Sequence, residues 1–171
     1  MSLLEYNGIS IRNVYEYGPV SHTGNTNLTI LESIVIPANT YKAGDLIRIE
    51  GMFSKSGTSN GAFVRMYWVA GSTPTTSGAT LISTTKIFTS TNFSIQERRL
   101  YIRTANGTGT GISLGTECFS STTTSASDYT SGAISNLSID WSVTGCIFHT
   151  VQLDGTAVDT YTQHYLKIWE F

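Results

Sequence analysis

A chain of 171 residues, 40% apolar and 13% charged, suits one domain, long enough to bury roughly 70% of its unfolded surface, and its composition lies away from that of disordered chains. A net charge of −2, with its Lys and Arg residues spread along the chain, leaves no electrostatic footprint for nucleic acid or an anionic membrane. No apolar run reaches the length of a membrane span, and Met1 to Glu5 lacks the basic region and apolar core of a signal peptide, so the expectation is folding in a cytosol.

In chain order, Ile9 and Ile11 alternate around Ser10, followed by Val14, Tyr15 and Tyr17, which reads as a short strand or extended arm broken by Gly18-Pro19. Residues 1–25 are accordingly expected to be an arm packing on its own domain or on a neighbouring subunit, ahead of a domain over 26–171. Thr26 to Ile36 predicts a strand with Leu28, Ile30, Ile34 and Ile36 on one face, interrupted by Glu32. From Ile34 to Val69 three strands are expected. Pro37 closes the first, turns fall at Ala38-Asn39-Thr40 and Lys42-Ala43-Gly44-Asp45, and a flexible loop spans Ser54 to Gly61. The third strand, Phe63 to Val69, places Phe63, Arg65, Tyr67 and Val69 on one face.

A polar loop over 71–79 precedes short strand signals at Leu81-Ile82 and Ile87-Phe88. Phe93 to Arg103 alternates, with Ser94, Gln96, Arg98, Leu100 and Ile102 on one face and Phe93, Ile95, Glu97, Arg99, Tyr101 and Arg103 on the other. The adjacent pair Arg98-Arg99 reads as a solvated strand position. An Asn106-Gly107 step predicts a hairpin, with Ile112, Leu114 and Cys118-Phe119 returning. Residues 120–132 form a Ser/Thr-rich loop. Leu137, Ile139, Trp141 and Val143 alternate as one face of a strand, Cys146 to Leu153 is read as its partner, and Tyr161 to Trp169 is the last strand. No segment carries an amphipathic helix signature, so nine or so strands with closely spaced turns imply an all-β sandwich or barrel-like closure.

Catalytic or metal chemistry finds little support in the residue pattern. His22, His149 and His164 have no local partner at ligand spacing and no cysteine pair beside them. No G-x-S-x-G elbow supports a Ser-His-Asp triad. Glycosidase chemistry needs two carboxylates across a cleft, whereas Glu50, Glu97 and Asp140 sit mid-strand, where isolated acids are usually edge or surface features. Cys118 and Cys146 lie among apolar or small neighbours and read as buried free thiols, not as a disulfide framework or metal site, with a pairing in oxidising surroundings as the alternative. The expectation is a protein without catalytic residues, metal or cofactor. Aromatic residues mixed with arginine, as in Phe63-Arg65-Tyr67 and Arg99-Tyr101-Arg103, instead match the composition of interface cores.

Several short pieces, in order, resemble bacteriophage virion proteins of the tail-fibre and head-fibre class: Ile36-Pro37-Ala38-Asn39-Thr40, Gly44-Asp45-x-Ile47-Arg48-Ile49, Lys55-Ser56-Gly57-Thr58 and Arg65-x-Tyr67. The series continues with Ile139-Asp140-Trp141-Ser142, Thr150-Val151-Gln152-Leu153, and Asp159 followed by Tyr165-Leu166-x-Ile168, so the resemblance spans about residues 26–170. It implies an antiparallel jelly-roll β-sandwich of tumour-necrosis-factor-like type that assembles as a homotrimer on the virion surface. It further implies contact with neighbouring virion proteins and with host-surface glycan or protein. The chain has no long shaft or collagen-like repeat before the head, which leaves a purely structural head-fibre or capsid-decoration role as the alternative, with a carbohydrate-active enzyme behind it. Loops 71–79, 104–111 and 120–132 are the expected contact surfaces, and Tyr129 is their one aromatic.

Overall fold

Period-two alternation gives each strand an inner and an outer face, and the inner faces meet in two antiparallel sheets packed as a β-sandwich. The computed structural model describes residues 4–6, 9–17, 19–24, 26–57, 61–87, 93–103, 109–113, 118–120, 127–128, 135–155 and 159–170; in the strand segments before residue 18, at 86, at 93–94 and from 109 to 136 it describes the backbone alone. The strands are β1 (Leu4–Tyr6), β2 (Ile9–Tyr17), β3 (Val20–Thr23), β4 (Thr29–Ile36), β5 (Leu46–Ser56), β6 (Ala62–Ala70) and β7 (Thr80–Ile87), then β8 (Phe93–Ile102), β9 (Gly109–Ser113), β10 (Cys118–Ser120), β11 (Ser127–Asp128), β12 (Ser135–Ile139), β13 (Gly145–Leu153) and β14 (Thr160–Glu170). Among the described residues there is no helix.

The larger sheet runs β1-β2-β14-β5-β8-β9-β12, with β3 pairing β14 and β10 pairing β8; the smaller runs β11-β7-β6-β13-β4. Four long strands form the body of each, β2-β14-β5-β8 and β4-β13-β6-β7. The opening stretch does form three strands, but β5 lies in the larger sheet while β4 and β6 lie in the smaller. Its turns are closed by the residues their chemistry calls for. Thr40 bonds the Pro37 carbonyl through both its amide and its hydroxyl, with Asn39 at φ 61°, and the Lys42 amide donates to the Asp45 carboxylate at 2.6 Å.

Two apolar clusters fill the space between the sheets. One gathers Ile34, Met66, Trp68 and Ile147 from the smaller sheet against Ile47, Ile49, Leu100 and Leu166 from the larger. The other holds Leu31, Val64 and Val151 against Phe53 and Tyr161. A buried polar layer crosses the sandwich between them. Walking along β13, His149 separates Ile147 from Val151; along β14, Gln163 stands between Tyr161 and Leu166; on β8, Gln96 and Arg98 extend the inner face beyond Leu100. Gln96 Nε2 bridges the sheets by donating to Ser83 Oγ at 2.9 Å and Thr85 Oγ1 at 2.7 Å on β7.

Gly51 is the inner-face residue of β5 at this layer. A methyl group on it would lie 2.6 Å from His149 Cε1 and 2.9 Å from Phe53 Cζ, so only glycine lets the imidazole approach the strand. Gly51→Ala is therefore expected to cost about 1–3 kcal/mol of unfolding free energy through overpacking. A denaturant melt with an unchanged midpoint would show that the two sheets are not in contact here.

Several expectations are corrected. Leu28 and Ile30 do not share the inner face with Ile34 and Ile36, because a register irregularity opposite Phe148–Thr150 brings Leu31 inward and turns Ile30 outward. The run Leu137 to Val143 is not one strand: β12 ends at Ile139, and Asp140 Oδ1 accepts from both the Ser142 amide and its hydroxyl, closing a turn that exposes Val143. Nor does β13 partner that segment; it pairs with β4 and β6, while β12 pairs with β9. Arg98 is buried on the inner face and is not a solvated position.

Candidate interaction surface

The outer walls carry what remains of the chemistry, and they differ in kind. On the smaller sheet, β6 turns Phe63, Arg65, Tyr67 and Val69 outward, because Ala62, Val64, Met66 and Trp68 occupy the core. Strand register then lays these residues beside their neighbours in rows. Val69 lies beside Cys146, which lies beside Val35; Tyr67 lies beside Phe148 and Leu81. Tyr67 and Phe148 stack with centroids 5.5 Å apart and planes 18° apart. Val69, Cys146 and Phe148 form a third apolar cluster, packed by Ile30, Tyr67 and Ala79, on the outside of the sandwich. Around it, Val35 and Leu81 remain 40% and 42% exposed. Toward the other end the wall turns polar: Arg65 lies 5.3 Å over the Phe63 ring and donates to Gln152 Oε1 at 3.0 Å.

Cys146 is a free thiol, as expected, and burial raises its pKa to about 11. A thiol held in that state is a small apolar side chain and a poor nucleophile. Cys118 belongs to β10 on the larger sheet, and its side chain lies outside the described residues.

The outer wall of the larger sheet is a knitted charge network. Register places Glu50 opposite Glu97 and Arg48 opposite Arg99, so like charges face one another across β5 and β8, an arrangement that repels unless it is bridged. Arg48 does the bridging. Its Nη2 contacts Glu50 and lies 2.8 Å from Glu97 Oε2, and its guanidinium rests 4.9 Å over the Trp169 ring. Arg99 Nε donates to Glu97 Oε1 at 2.8 Å, and the Tyr165 hydroxyl donates to Glu50 Oε1. Reading along the chain does not bring Glu50 and Glu97 together, since their proximity depends on cross-strand register. Once together, all four of their carboxylate oxygens are engaged by neighbours. Asp140 is absent from this wall, being occupied in its turn.

Arg99, Tyr101 and Arg103 are exposed on this same wall. The two aromatic-arginine stripes read from the sequence thus stand on opposite faces of the molecule. The three histidines are likewise apart. His149 is fully buried, His22 is buried on β3 opposite Tyr161, and His164 is exposed on β14, its Nε2 2.7 Å from Ser54 Oγ. Among the described residues no group of three metal-ligating side chains forms, and no carboxylate pairs with His164 to complete a triad with Ser54. The loop at 71–79 is exposed, with the Gly71 amide donating to the Thr144 carbonyl at 2.7 Å. The expected contact loops at 104–111 and 120–132 fall largely outside the described residues, and Tyr129 falls wholly outside them. Compared with known proteins, the chain matches no family model, no curated protein and no solved structure.

Proposed function

We propose that this chain is a jelly-roll module of a bacteriophage particle, displayed on the virion surface, that works by assembly and binding and not by turnover. In this reading three copies associate through the outer wall of the smaller sheet. The loops then face neighbouring virion proteins and the glycan or protein of a host surface. Supporting the jelly-roll part is the strand order. The chain changes sheet between β3 and β4, β4 and β5, β5 and β6, β7 and β8, at each step from β10 to β13, and between β13 and β14, so each sheet interleaves strands from both halves of the chain, as two Greek keys folded on one another do.

The observation that carries the assembly is the exposed apolar pair Val35 and Leu81, which flank an outer-wall cluster whose own members Val69, Cys146 and Phe148 are buried within the subunit. Exposed apolar side chains grouped on one sheet wall favour a contact there, and the half-buried Tyr67 and Arg65 of the same wall are residue types that dominate interface energetics. Light scattering on the purified protein is expected to give three times 18.6 kDa. A monomer at micromolar concentration would refute the assembly. Immunogold labelling of intact particles tests the location. Inhibition of adsorption by free protein separates a host-binding role from pure decoration.

A further inference from the structure

The buried layer between the two core clusters holds one titratable group that the assembly does not use, and its surroundings fix its protonation state. Gln163 Nε2 donates to the Tyr165 carbonyl at 3.2 Å, and Gln163 Oε1 accepts from the Glu32 amide. These two backbone groups leave the side-chain amide a single orientation. The same Nε2 lies 3.0 Å from His149 Nδ1. Because that nitrogen of Gln163 can only donate, Nδ1 must accept, and the imidazole proton resides on Nε2.

We propose that His149 and Gln163 form an acid-sensitive latch between the two sheets. A proton arriving from solvent at Nδ1 would place an N–H against the Gln163 NH2. Relief requires Gln163 to rotate, which sets its oxygen against the Tyr165 carbonyl and its NH2 against the Glu32 amide. Both backbone bonds are then lost together. The latch ties β13 and β4 of the smaller sheet to β14 of the larger, at the bulge where β14 shifts register between Gln163 and Tyr165. This inference is independent of the proposed trimer.

The surroundings offer the cation nothing. Gly51 and Phe53 of β5 close one side of the ring, the Phe53 ring centroid lying 5.1 Å away, and Met66 of β6 is the cross-strand neighbour. Glu32 of β4 contributes its backbone amide to the latch. Of the other charged or titratable groups on the surrounding strands, Glu50 is held on the outer wall by Arg48 and Tyr165, Lys55 pairs with Asp159 at 3.6 Å, and His22 lies opposite Tyr161. Arg98 is the inward-facing charged residue on β8. Among the described residues no ion pair includes His149, and its Nε2 has no hydrogen-bond partner.

Burial lowers the His149 pKa from 6.5 to about 3. The unfolded chain therefore takes the proton more readily than the folded one. The contribution of neutral His149 to stability is whole above pH 6.5 and shrinks as the pH falls from there toward 3. The test compares the wild-type protein with His149→Gln. Between pH 7.5 and pH 4 the unfolding constant of the wild type should rise on the order of a hundredfold more than that of the variant. Equal acid sensitivity would overturn the latch. Should the variant not fold, long-range proton–nitrogen NMR on the wild type decides. A neutral Nε2–H imidazole at pH 5.5 is expected, and a cationic ring or an Nδ1–H tautomer at that pH would overturn the proposal.

Discussion

Phe53→Ala is expected to lower the unfolding free energy by about 3–5 kcal/mol. Phe53 stands on β5, flanked in its sheet by β14 and β8, and almost none of its surface reaches solvent. Its ring meets the His149 imidazole edge-on and lies 5.7 Å from the Tyr161 ring, so truncation opens a cavity that touches both sheets and the polar layer at once. Relaxation into that cavity is hindered on one side by Gly51, which has no side chain to supply, and on the other by an imidazole held through Gln163. Met52, one residue earlier, points to the outer wall and is half-buried, so Met52→Ala should cost about 1 kcal/mol or less. Chemical denaturation of the two variants checks the assignment of faces along β5. Equal losses would mean that the alternation has been read in the wrong register.

Alternation was the part of the fold legible in the sequence. Ile47, Ile49 and Phe53 on β5, Val64, Met66 and Trp68 on β6, and Gln96 to Ile102 on β8 all fall on the faces that period two assigns to them. Where the period slips by one residue, reading along a single strand fails, because a bulge is a property of two strands. Leu31 replaces Ile30 in the core for that reason, and so does Leu166 after Gln163. Which strands pair was equally invisible: β13 looks like the return of the strand before it, yet it sits between β6 and β4. The Phe63-Arg65-Tyr67-Val69 stripe was legible as a face, but not as the margin of an apolar cluster, since Cys146 and Phe148 join it only through register. The Glu50–Glu97 juxtaposition and the His149–Gln163 contact arise the same way, from residues on different strands that strand pairing and sheet packing set beside one another.

The difference between the two outer walls carries the assembly prediction. On the larger sheet the charges already satisfy one another, and a partner docking there would have to strip water from a network that gains nothing new by it. On the smaller sheet Val35 and Leu81 present apolar surface, each about two-fifths exposed, and burying that remainder is worth about 1 kcal/mol per residue in each copy. The double variant Val35→Glu, Leu81→Glu is thus expected to convert the proposed trimer to a species of 18.6 kDa, because each carboxylate would have to enter the contact without a partner. Both positions face away from the core, and Val35 lies on β4, the last strand of its sheet, where added charge is well tolerated. The variant's melting behaviour at low concentration should therefore match that of dissociated wild type. Tyr101→Glu, an equally exposed site on the opposite wall, should leave the assembled mass unchanged. Sedimentation of the three proteins side by side tests this: a double variant that remains trimeric, or a Tyr101 variant that dissociates, would move the contact to the other sheet.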